Sequence, residues 1–139
     1  MITDDAANKI LKAILRNTSY VIATPYLGLF IGLPTATLAG TEVTGTGYSR
    51  KALATPFGVD PAGGVIQNSA VATFAGPVTT DWGTAAAPII AVGIFDASTS
   101  GNLILWTDIC PQIVLAGDPV PSFKVAGLTV SLNEGGCGC

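Results

Sequence analysis

Beyond Asn17 the hydrophobic period changes from helical to extended, and Gly, Pro, Asp and Thr cut the rest of the chain into short β-rich pieces. That break constrains the fold more than any other feature. Before it, Thr3 to Asn17 reads as a helix. Thr3 is placed to cap its N-terminus, Asp4 and Asp5 lie in the first turn, and Lys9, Lys12 and Arg16 lie toward the far end, as the helix dipole favours. Ala6, Ile10, Ala13 and Ile14, with Leu11 and Leu15 beside them, form a broad apolar stripe. The stripe either packs on the protein's own sheet or docks on another subunit, which makes Ile10 and Ile14 candidate subunit contacts.

After the break, strands are expected near Tyr26–Ile31, Tyr48–Ala54, Ile66–Phe74, Ile89–Phe95, Leu103–Ile109, Ile113–Leu115 and Phe123–Leu132. Turn chemistry fills the gaps at residues 58–64, 96–101 and 116–119. The pair Ile89–Phe95 and Leu103–Ile109 is expected to form an antiparallel hairpin, with Trp106 helping to fill the core. The expected fold is therefore mainly β: an antiparallel β-sandwich or partly closed barrel of about seven short strands with one N-terminal α-helix. At 139 residues the chain suits one domain. Residues 1–134 are assigned to it, with the helix at 3–17, and Gly135 to Cys139 to a flexible Gly/Cys tail.

Composition narrows the function. The chain has no histidine, and its nine carboxylates and six Lys/Arg side chains are scattered singly, so acid–base, metal and nucleophilic chemistry lack their usual parts. No enzyme and no cofactor is expected. Asp81, Asp96 and Asp108 suggest no hydrolase without an aromatic-rich cleft, and Asp96 reads as a turn residue bonding backbone with its side chain. The glycine-rich run Gly40 to Gly47 is followed by no Lys-Ser/Thr and reads as a turn. If Tyr48–Ala54 is a strand, Arg50 and Lys51 point to opposite faces, and the inward one needs a carboxylate partner or the sheet rim.

Three cysteines are too few for a structural zinc site. Cys110, before Pro111, reads as a small buried hydrophobe. Cys137 and Cys139 form an interchain disulfide if C-termini converge in an oligomer; otherwise they are free thiols or bond to Cys110. Trp82, in a loop-like context, is either a lid over one end of the sandwich or a subunit contact.

Charged residues make up 11% of the chain against about 25% in a typical soluble domain, so part of the surface should be covered by protein neighbours. A net charge of −3 without a basic cluster argues against nucleic acid. The apolar runs Tyr20 to Leu33 and Ala85 to Phe95 are too short and too broken by Pro or Gly to span a membrane. The acidic start Met1-Ile2-Thr3-Asp4-Asp5 is unlike a secretory signal.

An ordered series runs through the chain: Tyr26-Leu27-Gly28-Leu29-Phe30, Gly40-Thr41-Glu42-Val43 with Gly47-Tyr48-Ser49-Arg50-Lys51-Ala52, Asp81-Trp82-Gly83-Thr84, Gly93-Ile94-Phe95-Asp96-Ala97, Gly101-Asn102-Leu103 and Ala126-Gly127-Leu128-Thr129-Val130-Ser131-Leu132. Over residues 20–132 it resembles small tailed-bacteriophage structural proteins labelled phage tail fibre-like. The Cys-bearing extension past Leu132 and Pro88 depart from the pattern. The resemblance implies a virion component, made in the host cytoplasm, that self-associates and docks on other virion proteins. Compactness, low charge and the helix favour a capsid decoration or cement protein, a homotrimer bridging subunits of the major capsid protein. The alternative is a tail-associated fibre or adaptor protein contributing to host attachment. A carbohydrate-binding module would need Trp82 or Tyr48 exposed to stack on sugar.

Overall fold

The computed structural model describes residues 1–53, 57 and 61–131. Among these the elements run α1 (Asp4–Arg16), β1 (Tyr26–Gly32), β2 (Thr41–Glu42), β3 (Lys51–Ala52), β4 (Val65–Gln67), β5 (Ala72–Thr73), β6 (Ile89–Phe95), β7 (Leu103–Gln112), β8 (Ser122–Phe123) and β9 (Thr129–Ser131). Over the described residues the fold is mainly β with one helix, and its sheets are antiparallel and do not close into a barrel. The principal sheet has the order β2-β1-β6-β7, with β3 also pairing with β1. Two further two-stranded sheets, β4-β9 and β5-β8, complete the sandwich-like body.

The central pair β1 and β6 is buried on both faces. Leu27, Leu29 and Val92 face the larger core with Val43, Leu53, Phe74, Val78, Trp82 and Leu128. Phe30, Ala91, Phe95 and Leu103 form a smaller core, with Trp106 partly buried against it. Gly28 lies opposite Gly93 in the β1–β6 register. The cleared space is filled by rings: a Cβ on Gly28 would lie 2.7 Å from Phe95 Cε2, and one on Gly93 would lie 2.8 Å from Phe30 Cε2 and 2.6 Å from Leu103 Cδ1. The Phe30 and Phe95 rings stack with centroids 5.7 Å apart. Gly93→Ala is therefore expected to destabilise the fold by about 1–3 kcal/mol through overpacking, measured as the midpoint of urea unfolding.

Both β2 and β3 pair with β1, and the main chain between them needs another partner. Tyr48 supplies it: its hydroxyl accepts from Leu29 N at 2.9 Å and donates to Glu42 Oε1 at 2.8 Å. Burial pushes the Tyr48 phenol well above its ordinary pKa, so it remains a donor.

The helix starts from the sheet edge. Ile2 bridges to Leu105 of β7, and Thr3 Oγ1 donates to the Leu103 carbonyl at 2.7 Å while capping Ala6 N. At the far end Asn17 adopts a left-handed φ of 50°. Ala6 is buried and Ile10 and Ala13 are half-buried, but Leu11, Ile14 and Leu15 are exposed. The stripe thus meets the body along one narrow line and turns the rest outward.

Several expected strands differ. Ile66–Phe74 is divided into β4 and β5, in different sheets, by Asn68, which is 1% exposed. Its amide donates to Ala70 O at 2.9 Å and Lys124 O at 2.6 Å, and its Oδ1 accepts from Leu128 N at 2.8 Å. The same lock divides Phe123–Leu132 into β8 and β9 around a turn in which Gly127 N bonds Lys124 O. Of Tyr48–Ala54, Lys51 and Ala52 pair as β3, while Ala54 lies outside the described residues. The run Gly40–Gly47 holds β2 as well as a turn, and Ile113–Leu115 reduces to a bridge from Val114 to Gly83. β7 continues through Pro111 to Gln112, which an edge strand tolerates because no neighbour needs the missing N–H.

Candidate interaction surface

The side chains that would carry chemistry are used for structure. Asp96 closes its own loop, with Oδ1 accepting from Asn102 N at 2.7 Å and Oδ2 from Asn102 Nδ2 at 2.9 Å. Burial alone would raise the Asp96 pKa, but these bonds outweigh it and lower it. Asp81 Oδ1 accepts from Ala116 N at 2.9 Å, and Asp108 is exposed on β7. Among the described residues no three His, Cys, Asp or Glu side chains gather where they could hold a metal. No helix among them is long and apolar enough to cross a membrane. A cavity of about 420 Å³ is lined mainly by apolar side chains, Leu29, Ile89, Val114 and Phe123 among them, with Cys110, Gln112 and Ser122 as its polar members.

Arg50 is the inward member of the basic pair. Its Nε and Nη2 donate to the two oxygens of Glu42 at 2.8 and 2.7 Å, and Nη1 donates to Ala97 O at 2.9 Å and Ser100 O at 2.6 Å. The guanidinium lies 3.3 Å from the Phe95 ring centroid. This clip ties the β6–β7 loop to β2 and fixes that end of the sandwich.

Two expectations about surface residues are corrected. Trp82 is 2% exposed, packs edge-on to Tyr48 at 5.4 Å, and donates from Nε1 to Thr46 O at 3.3 Å. It is a core residue, held down because Trp82 N and Gly83 N both bond Val114 O, and it has no face to offer a neighbour. Nor can it stack on a sugar, and Tyr48 packs inward on Phe74 at 6.0 Å. Cys110 is exposed on the β7 edge rather than buried, because no strand pairs beyond β7 to cover it and the cavity it helps line is open there. Cys137 and Cys139 lie outside the described residues.

Much of the exposed apolar surface sits around the helix. Ile14 is 72% and Leu15 75% exposed, with Leu11 beside them at 53%. Met1, Val21, Leu33 and Leu38 are exposed as well, and Asp4 N bonds Ala36 O, which brings the 33–38 loop against the start of α1. Of the two helix residues expected to contact a subunit, Ile14 is fully presented and Ile10 is half-buried. Leu11 and Leu15, read as accessories to the stripe, carry more of the free surface. Their i, i+4 spacing was the available signal.

The family model described as Podophage GP4 fiber I protein gp80 matches residues 1–131. The chain belongs to this family. It is a phage virion structural protein, consistent with its tail fibre-like sequence series. No curated protein sequence matches it.

Proposed function

We propose that the protein is a non-enzymatic, tail-associated fibre component that joins the phage particle through the outward face of α1 and presents the β body. The observation that carries this reading is the exposure of Leu11, Ile14 and Leu15 on a helix that is capped at both ends and tied to β7 at its start. A helix held this firmly loses little further entropy on docking, so its apolar area goes into binding. The fibre description of the family supports the tail over the capsid. Capsid decoration has the low surface charge in its favour, and copy number in purified virions separates the two: few copies for a fibre, one per coat position or coat trimer for a cement.

The double variant Ile14→Lys, Leu15→Lys, whose charges suit the C-terminal half of the helix, tests the docking face. Its thermal midpoint is expected to match the parent closely, since exposed substitutions change stability by within about 0.5 kcal/mol. Virions produced with it are expected to lack the protein. Normal incorporation would refute the role given to this face.

A further inference from the structure

We propose that the cavity beside β7 is a binding site for a neutral amphiphile, whose alkyl chain enters it and whose uncharged polar head stays at the rim. The β6–β7 register explains why a space exists there. Ile89 meets Gln112 while Ala91 meets Asp108, so Ile109, Cys110 and Pro111 stand opposite Ile90 alone and β7 bulges. The facing wall contains Pro119 and Pro121, whose fixed φ and missing N–H keep that segment from pairing with β7 and closing the gap.

The lining is graded from inside to outside. Leu29 and Ile89, each 1% exposed, and Val114 close the inner end, so the cavity reaches the larger core. Cys110, Gln112 and Ser122 are exposed and mark the opening. At about 420 Å³ the space far exceeds ordinary interior voids, few of which are larger than a water molecule. An engineered apolar cavity of about 150 Å³ takes up benzene, and on that scale this one accommodates up to about sixteen carbon atoms. Its apolar walls are mostly aliphatic, which suits an alkyl chain. Among the described residues no charged side chain lines it, so an ionised head would lose water without compensation. The Gln112 amide and Ser122 hydroxyl can instead hydrogen-bond a hydroxyl or ester.

Calorimetric titration of the full-length protein with hexanol, octanol and decanol tests the site. Saturable binding is expected, tightening about threefold to fourfold for each added methylene, with octanoate about tenfold weaker than octanol. In Cys137→Ser, Cys139→Ser protein, where Cys110 is the remaining thiol, decanol is expected to slow the reaction of that thiol with an aromatic disulfide reagent. Ile109→Trp in the wall and Cys110→Trp at the exposed mouth are each expected to abolish binding. The second alters a surface position, so its thermal midpoint stays at the parent value even if the first disturbs packing. Absence of saturable heat, an affinity independent of chain length, or parental binding by Cys110→Trp would overturn the proposal. Co-sedimentation of the parent but not Cys110→Trp with phosphatidylcholine vesicles would give a bilayer as the source of the chain. Decanol binding without co-sedimentation would give a free amphiphile, and both results uphold the site.

Discussion

Replacing Arg50 with methionine is expected to cost about 3 kcal/mol of stability, because it strands the Glu42 carboxylate in a site built for a cation. The Arg50 side chain is 9% exposed and that of Glu42 24%, so the pair is shielded on one side and partly wet on the other, which keeps the cost at the lower end of the range for buried pairs. The substitution also removes the donors to Ala97 O and Ser100 O and the cation over Phe95. In a domain of this size such a loss corresponds to a fall in the thermal midpoint of roughly 10 °C. Arg50→Lys keeps the charge but not the two-pronged contact or the stacking, and should fall between parent and methionine. Combining Arg50→Met with Glu42→Leu is expected to cost less than the sum of the single changes, since the stranded charge is then gone. Additive losses in calorimetry would mean that the two side chains act separately.

Trp82→Ala should cost about 3–5 kcal/mol, the range for truncating a fully buried aromatic side chain. The indole is enclosed between Tyr48 and the loop that supplies Thr46 O, so its removal leaves a cavity lined by groups that cannot collapse far. Trp82→Phe, which keeps most of the ring and loses the hydrogen bond, should cost about 1–2 kcal/mol. Denaturant melts followed by circular dichroism give both values. The pattern separates a core role from a contact role: a tryptophan reserved for a neighbouring subunit would leave the melt unchanged and lower incorporation into virions.

The parts of this structure governed by local rules were legible from residues alone. Thr3, the first-turn aspartates and Asn17 bound the helix by capping, and Asp96 closes the turn it heads because its side chain reaches main chain a few residues on. The β6–β7 pairing follows from two apolar runs joined by a short polar loop. Strand alternation indicated that one of Arg50 and Lys51 would need a carboxylate or the sheet rim, but nothing local showed that Arg50 is that residue or that Glu42 meets it.

The parts set by distant contacts were not legible. Asn68 interrupts an apolar run that otherwise reads as one strand, and its partners Lys124 and Leu128 lie more than fifty residues away in sequence. Trp82 has a loop-like neighbourhood, and its burial comes from Val114 and Tyr48 folding over it. The helix stripe was visible, but which part of it faces the body depends on Ile2 and Thr3 pairing with β7, a contact that links the first residues to positions about one hundred further on.

If α1 is the element through which this protein joins the particle, its outward face must be covered there. Hydroxyl-radical footprinting with mass spectrometry, run on the free protein and on intact virions, measures that cover residue by residue. Strong labelling of Leu11, Ile14 and Leu15 is expected in the free protein, with marked protection of all three in the virion. Equal labelling of these side chains in both states would mean that the helix face stays open to solvent and that the protein is held in the particle by some other surface.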